Sequence, residues 1–394
     1  MNINRFKCHT DFYRFHKFFT KLKLHINHFQ LRNLVCCGTN ISKGVFYPSS
    51  GFHDFNLQTV QNNLLDSSNE EHHAYFKINR LMFDNTACEK SESMKLDCLI
   101  DSRNLIHNSN SRISTLACTD KYLACGTYDD SEGGYVLTNV DDPDNIKSLG
   151  DFYLCDAITN HIIIDESSNQ LIISSNDKCL RMVDIPRHQT LLMMSLPFAV
   201  NCAAINSHNH NEIFVAGDDL NSYIIDTRVR HDTIDGAATF HGHSDYSFSC
   251  DWSSKYENLL LTGNQDGCVR LWDRRKSNRH VYGWSGSLGA SDIMNSGPVR
   301  NCKFSHNGEY ISWAEGLDHV GIIQLDDLNR TEDDLLTRVQ SIDFIGKCVG
   351  LTFAPIENNY GEQLIIGIND CPLGGILSYK LESRHKSLDF DLCF

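Results

Sequence analysis

The sequence predicts an all-β protein: a single closed β-propeller, with seven four-stranded blades as the best fit. Two observations lead to this prediction. A strand-rich unit recurs along the chain at intervals of 42 to 53 residues, and turn-forming residues separate the short apolar runs within each unit. Repeats of this length with several short strands are typical of radial β architectures. Hydrophobic residues make up 41% of the 394 residues, which is enough for a folded core.

The clearest unit covers residues 241–275. It contains a Gly-His dipeptide, two apolar strand-like runs, an Asp-Gly turn, and a third run that ends in Trp-Asp. Asp266 lies seven residues before Asp273 at the end of this unit. Weaker copies end in the same way, and the terminal aspartates of the five copies are Asp141, Asp184, Asp226, Asp273 and Asp326. Their regular spacing predicts five consecutive blades.

The two remaining blades are predicted from alternating apolar residues alone. Residues 348–381 suit a seventh blade and residues 28–57 a first one, so the propeller should span 28–382 and leave a tail at 383–394. Residues 58–110 are polar and match no blade. We expect them to form an insertion between blades one and two, with a helix near residues 75–83.

The N-terminal segment, residues 1–27, is basic and aromatic. Phe12, Phe15, Phe19 and Leu22 recur at helical spacing with Lys and Arg between them, which predicts a short helical extension. It could dock on the propeller, contact an anionic membrane or act as a mitochondrial presequence. Stacking on nucleic-acid bases is a weaker alternative.

Charge and cysteine content narrow the function classes. Residues 1–32 carry a net charge of +6, so the remainder carries −21 of the overall −15, and an acidic body disfavours nucleic-acid binding. The 16 cysteines are scattered without CxxC pairs, which is typical of reduced thiols and disfavours a structural zinc site. With no apolar run long enough for a membrane span and no secretory signal, we expect a cytoplasmic or nuclear protein without cofactor or metal.

The segment GHSDYSFSCDWSSKYENLLLTGNQDGCVRLWD resembles a repeat of the WD family. Together with HFQLRNL (residues 28–34) and TEDDLLTRVQSIDFIGKCVGLTFAP (residues 331–355), it resembles a group of largely uncharacterised fungal and plant WD-repeat proteins. Ile345 is a small departure from that group's pattern. The resemblance covers most of the chain after residue 28 and implies a propeller, but it implies no particular activity.

The same resemblance implies a structural tetrad within one blade. In WD repeats a histidine, a hydroxyl residue, an aspartate and a tryptophan form a hydrogen-bonded set, and here the matching residues are His243, Thr262, Asp266 and Trp272. A His–Asp–Thr set is also typical of a hydrolytic triad. The blade spacing favours the structural role, so we predict no catalytic residues. In two other repeats Val183 and Ile225 replace the tryptophan, which predicts apolar packing there.

Residues 260–275 also resemble the box by which some WD proteins dock on the adaptor of cullin–RING ubiquitin ligases. The docking residues would be Asp273 and Arg275, although Asn264 departs from the box's small residues. We therefore predict a non-catalytic protein–protein interaction scaffold whose partners are other proteins. The alternative is a ligase substrate receptor that docks through an exposed, unpaired Arg275. An enzyme that uses the propeller channel is the third and weakest alternative.

Overall fold

The structure is a computed structural model. It describes residues 12–20, 22–24, 33–39, 41–52, 74–83, 94–108, 111–129, 132–142, 147–229, 234, 236–285, 297–315, 319–325, 339–356, 361–370 and 374–381. Within these ranges the chain is built from 28 strands and three 3-10 turns. Asp326 and residues 331–338, which entered the predictions, lie outside the described residues.

The strands of the first half are β1 (Tyr13–Thr20), β2 (Cys36–Cys37), β3 (Val45–Phe52), β4 (Ala74–Phe83), β5 (Met94–Asp101), β6 (Arg112–Cys118), β7 (Tyr122–Tyr128), β8 (Gly133–Asn139), β9 (Lys147–Cys155), β10 (Thr159–Asp165), β11 (Gln170–Ser175), β12 (Cys179–Asp184) and β13 (Gln189–Ser195). Those of the second half are β14 (Val200–Ile205), β15 (Glu212–Gly217), β16 (Ser222–Asp226), β17 (Ala238–Phe240), β18 (Ser247–Trp252), β19 (Leu259–Asn264), β20 (Cys268–Asp273), β21 (Tyr282–Ser285), β22 (Val299–Phe304), β23 (Tyr310–Glu315), β24 (His319–Gln324), β25 (Gln340–Asp343), β26 (Lys347–Pro355), β27 (Glu362–Asn369) and β28 (Gly375–Leu381). The 3-10 turns are Ile41–Lys43, Ser102–Asn104 and Arg274–Lys276.

The strands form seven four-stranded antiparallel sheets, which confirms the predicted blade number. Blades one to six are β2–β5, β6–β9, β10–β13, β14–β17, β18–β21 and β22–β25, each in sequential order. Blade seven is different, because its order is β1-β28-β27-β26. The first strand of each sequential blade, and β26 in blade seven, is its inner strand.

The hydrophobic core lies between neighbouring blades. Each of the six clusters of buried apolar residues joins strands of adjacent blades, as expected for sheets that pack face to face. The inner strand β2 contacts β6 on one side and β26 on the other, so contacts between neighbouring blades run around a ring. Two main-chain hydrogen bonds support this part of the ring, from Leu34 N to Val349 O (3.2 Å) and from Leu116 N to Asn33 O (2.8 Å).

The predicted N-terminal helix is wrong, because β1 pairs antiparallel with β28 as the outer strand of blade seven. The predicted domain boundary between residues 27 and 28 therefore separates β1 from blade seven, the blade to which β1 belongs. A bulge between Phe15 and Lys17 shifts the register of β1 by one residue. This shift interrupts the period-two pattern and leaves aromatic residues at a spacing typical of a helix. The edge of β28 needs a strand partner, and that requirement decides the conformation.

Polar side chains hold β1 in place. The amide oxygen of Gln340 accepts hydrogen bonds from Phe12 N and Tyr13 N, both at 2.9 Å, and its Nε2 donates to Tyr13 O at 2.6 Å. The Tyr13 hydroxyl donates to Glu362 Oε2 at 3.1 Å. Gln340 lies in blade six and Glu362 in blade seven, so β1 is attached to both.

The prediction that residues 58–110 lie outside the blades is also wrong. Within that range β4 and β5 are the third and fourth strands of blade one, and the predicted helix is part of β4. Phe76 and Ile78 of β4 are fully buried, but so is Arg80, at 4% exposure. Arg80 Nη2 pairs with Asp97 Oδ2 at 2.8 Å. A charged residue on the buried face hides the alternation that identifies a strand.

A β-bulge recurs near the start of six inner strands, from β6 to β26. In each of them one residue is left without a direct partner on the neighbouring strand. The bulged residues are Ser114, Asn160, Asn201, Phe248, Arg300 and Val349. A bulge reorients a side chain and increases local twist, and in three successive blades the reoriented side chain reaches the next blade.

These three side chains each donate a hydrogen bond to the carbonyl that precedes the bulge of the following blade. The contacts are Ser114 Oγ to Thr159 O, Asn160 Nδ2 to Val200 O (2.9 Å) and Asn201 Nδ2 to Ser247 O (3.1 Å). Blades two to five are thereby joined through one repeated contact. The series ends at Phe248, which has no side-chain donor.

Replacing Gln340 by alanine should loosen β1. Two buried N–H groups would lose their acceptor, so the free energy of unfolding should fall by about 1–3 kcal/mol. The amides of residues 12–20 should also exchange faster with solvent. Chemical denaturation and hydrogen exchange measure the two effects. Gln189→Ala, on the exposed part of β13, is the control and should stay within about 0.5 kcal/mol. Unchanged protection of β1 in Gln340→Ala would contradict the role given to Gln340.

Candidate functional site

The repeated aspartates are turn residues at the two ends of the third strand of a blade. Asp177, Asp219 and Asp266 each accept, through Oδ1, a hydrogen bond from the main-chain N–H two residues later, at 3.1, 2.8 and 2.9 Å. Asp226 and Asp273 do the same after their strands, both at 3.0 Å. Such side-chain contacts stabilise tight turns. The seven-residue interval in the sequence is therefore one strand with a turn at each end.

The structure brings His243, Thr262, Asp266 and Trp272 together in blade five. His243 Nδ1 lies 2.9 Å from Asp266 Oδ2, and His243 Nε2 lies 2.7 Å from Thr262 Oγ1. Trp272 Nε1 donates to the same hydroxyl at 2.8 Å. Thr262 and Trp272 are fully buried, and His243 is 8% exposed. The four side chains form one chain of hydrogen bonds from the blade interior to the turn.

The donors and acceptors in this chain define the protonation of His243. An indole N–H can only donate and a carboxylate can only accept. The imidazole Nδ1–H therefore donates to Asp266, and Nε2 accepts from the Thr262 hydroxyl. Burial lowers the pKa of His243, which favours this neutral form. Burial by itself raises the pKa of Asp266, but hydrogen bonds from His243 and the main chain lower it to about 2. The stabilisation that Asp266 contributes is therefore present above pH 4 and is lost as the pH falls towards 2.

Two neighbouring residues, Gly242 and Asn264, also shape the loop beside the tetrad. Gly242 has a φ of +143°, a left-handed conformation that glycine tolerates best, and a Cβ there would meet the Arg270 guanidinium. Asn264 is fully buried, and its Nδ2 donates to Asp245 O (2.6 Å) and Ser247 Oγ (2.9 Å). The asparagine that departs from the ligase-docking pattern thus has a structural role in the loop.

Blades three and four contain no equivalent tetrad. Val183 and Ile225 occupy the position of Trp272 and are 2% and 5% exposed. Their burial agrees with the apolar packing predicted for these repeats. The turn aspartates Asp177 and Asp219 remain in both blades, so the turn contact does not depend on the tetrad.

Arg275 is exposed, as predicted, with 68% of its side chain accessible, but the prediction that it is unpaired is wrong. Its Nε and Nη2 bind the carboxylate of Asp273 at 2.9 and 2.6 Å. Arg228 binds Asp226 in the same manner in blade four, at 2.9 and 2.6 Å. Arg103 and Asp101 form a third such pair in blade one. The pairing follows from the Asp-x-Arg spacing after a strand, since the turn directs the arginine back to the aspartate.

The neighbouring residue Arg274 joins two blades, a contact that the sequence analysis missed. Its Nη1 and Nη2 bind Glu212 of blade four at 2.7 and 2.9 Å. Its guanidinium also lies 5.6 Å from the centre of the Trp252 ring. A planar bidentate group of this kind is suited to both contacts.

The described residues contain neither a candidate metal site nor a helix that could span a membrane. No group of three or more His, Cys, Asp or Glu side chains in the described ranges is arranged to hold a metal ion. Among the same residues no helix is long and apolar enough to cross a membrane.

The comparison with protein families identifies one repeat. A family described as WD domain, G-beta repeat matches residues 237–273. This segment contains β17, the outer strand of blade four, followed by the first three strands of blade five. The match covers one repeat of a chain whose described strands form seven four-stranded sheets. In this chain the sequence repeat is offset from the blade by one strand, and the same offset places β1 in blade seven.

Three known proteins match parts of the chain. ATCSA-1 of Arabidopsis thaliana, a WD repeat-containing protein, is 29% identical over 124 residues, which are 31% of this chain and 26% of that protein. A THO complex subunit 6 homolog of Danio rerio is 33% identical over 97 residues, 25% of this chain and 27% of its own. A ribosome biogenesis protein WDR12 homolog of Anopheles gambiae is 33% identical over 70 residues, 18% and 16% of the two chains.

The matches therefore span between 16% and 27% of the length of these relatives. Among solved structures, a chain of a mitotic checkpoint complex aligns with a TM-score of 0.49 at 15% identity, over 64% of this chain and 69% of that one. The resemblance to fungal and plant WD-repeat proteins stays a prediction.

Replacing Asp266 by alanine should destabilise blade five. The Nδ1–H of His243 and the N–H groups of Ser244 and Cys268 would lose a buried acceptor, at a cost of about 1–3 kcal/mol. Thermal and chemical unfolding at pH 7 measure this loss. Thr262→Ser keeps the hydroxyl and should cost less than Thr262→Val. A melting temperature of Asp266→Ala equal to that of the parent would contradict the structural role of the tetrad.

Proposed function

We propose that this WD-repeat protein is a non-catalytic interaction scaffold that binds a protein partner along the outer edge of blade three. The supporting observation is the character of β13, QTLLMMS, which is the outer strand of that blade. Leu191 and Met193 of β13 are 52% and 58% exposed. Exposed apolar side chains on an unpaired strand edge are typical of a binding surface.

The other outer strands are protected against such pairing. Four of them contain charged residues, namely β1 (Arg14, Lys17), β5 (Lys95, Asp97, Asp101), β9 (Lys147, Asp151) and β25 (Asp343). The remaining two, β17 and β21, have only three and four residues. Charge and short length both discourage edge pairing. With seven uncharged residues, β13 is the outer strand best suited to accept a partner.

The proposed partner segment is an extended peptide that adds a fifth strand to blade three. Main-chain hydrogen bonds would supply affinity, and alternate side chains would contact Leu191 and Met193. Phe152 of β9 stacks on His188, just before β13, with ring centroids 4.2 Å apart.

Other observations are consistent with a scaffold inside the cell. All 12 described cysteines are free, which suits a reducing compartment such as the cytoplasm or nucleus. Two of the relatives are described as a complex subunit and a ribosome biogenesis protein. We take these descriptions as support for protein partners, without assigning this chain to either assembly.

Charge on the edge of β13 should abolish partner binding. The double variant Leu191→Lys, Met193→Lys leaves the buried Met194 in place, so its melting temperature should stay close to that of the parent. Quantitative affinity purification from the native cell should then lose specific proteins. Leu220→Lys, at a position 50% exposed in blade four, is the matched control and should retain them. An unchanged set of proteins with the double variant would rule out this edge as the binding surface.

Docking on a cullin–RING adaptor remains the second proposal, supported by the 68% exposure of Arg275. The ion pair with Asp273 would have to open for Arg275 to bind the adaptor, which weakens this proposal. Arg275→Ala should abolish co-purification of the adaptor with little change in melting temperature, because exposed ion pairs stabilise weakly.

Arg228→Ala is the control for this experiment, because it removes the same type of pair from blade four. It should leave adaptor binding unchanged. Equal effects of the two variants, or no adaptor with the parent protein, would exclude docking through Arg275.

A further inference from the structure

The inner strands surround a channel whose wall has a charged side and an apolar side. A cavity of about 370 Å³ in this channel is lined by residues of every inner strand. Six of the lining residues lie three positions after the bulge of their strand: Ala117, Ile163, Ala204, Asp251, Lys303 and Thr352. Four of these are uncharged. The two charged ones, Asp251 and Lys303, lie on the neighbouring blades five and six.

Lys303 is not within ion-pair or hydrogen-bond distance of another described residue, but the charge of Asp251 acts on it. Asp251 is satisfied in part by the main chain, because its Oδ2 accepts a hydrogen bond from Phe304 N at 2.8 Å. Burial by itself lowers the pKa of Lys303, but the negative charge of Asp251 acts against this, and the pKa is raised overall. Lys303 is half-buried, and Asp251 is the acidic residue that lines the same cavity.

A second cation lies on the same strand. Arg300, the bulged residue of β22, has its guanidinium 5.0 Å from the centre of the Phe248 ring. Together with His161 and several asparagines, Arg300 and Lys303 line a small space of about 10 Å³ beside this cavity. Arg300 is half-buried, and burial lowers the pKa of its guanidinium. The two cavities thus have two cationic residues and one anionic residue in their walls, in a chain whose net charge is −15.

We propose that this channel is a binding site for a small oxyanion, whose carboxylate or phosphate group contacts Lys303 in the larger cavity. The cavity volume lies at the lower end of the range of about 300–1,000 Å³ usual for small-molecule sites. Apolar residues such as Leu351 and Phe353 form much of the remaining wall. A few convergent polar groups in a mainly apolar cavity are typical of a ligand site. This site is independent of the edge of blade three and goes beyond the proposed scaffold role.

Anion titrations of the full-length protein test this inference. Inorganic phosphate and acetate are the probes, with sodium chloride at the same ionic strength as the reference, and thermal shift and calorimetry are the readouts. At least one of the two probes should raise the melting temperature in a saturable manner. Lys303→Met should weaken binding by about tenfold or more, since it removes a charged hydrogen-bond donor. Lys303→Arg should retain most of the affinity.

Lys276→Met, at an exposed position on the turn after β20, makes the same change outside the channel and should bind like the parent. Lys303→Gln is a second variant, should the methionine impair folding. The inference is overturned if neither probe stabilises the parent beyond chloride. It is equally overturned if folded Lys303 variants without the charge bind a probe as tightly as the parent does.

Discussion

The pairing of β1 with β28 brings the two ends of the described chain into one sheet, and the ring of blades depends on it. Without β1, the outer edge of β28 would be open, because the last blade receives only three strands from residues 347–381. The attachment has two components. Main-chain pairing satisfies the edge of β28, and Gln340 links the start of β1 to blade six. Contacts between residues so distant in sequence are slow to form, since a long loop must close first.

The side chains at the bulges of the inner strands differ between the blades, and this difference separates structural contacts from the charged part of the channel. In blades two to four the bulged side chain is used for structure, because it donates to the next blade. In blades five and six the same position is occupied by Phe248 and Arg300, whose contact is between a ring and a cation. The charged residues Asp251 and Lys303 follow on these two strands. The hydrogen bonds from a bulged side chain to the next blade therefore stop at blade five. The charged residues of the channel wall, Asp251 and Lys303, lie on blades five and six.

Local turn chemistry and the tetrad are separable parts of a blade. Aspartate turns occur in blades three, four and five, whereas the complete tetrad occurs in blade five among the described residues. Blades three and four nevertheless form complete sheets around buried aliphatic residues such as Val183 and Ile225. The family comparison matches the segment around blade five, although seven blades are present. A blade needs its apolar faces and its turns, and the tetrad adds polar contacts to one of them.

The sequence by itself determined the all-β class and the blade number, because these depend on local signals, and its resemblance to WD repeats implied the residues of the tetrad. Alternating apolar residues, Asp turns and the Gly-His and Trp-Asp dipeptides act within one repeat, and a repeat can be recognised without knowing its neighbours. The sequence also placed Arg275 at an exposed site, but not its ion pair with Asp273. Only the tertiary structure decided that β1 is a strand, that β4 and β5 complete blade one, and that Lys303 lies in the channel with Asp251. Each of these depends on what another part of the chain leaves open: the edge of β28, the edge of β3, and the space enclosed by the ring. Residue patterns describe the preferences of a segment, whereas an edge or a channel exists only when distant segments have packed together.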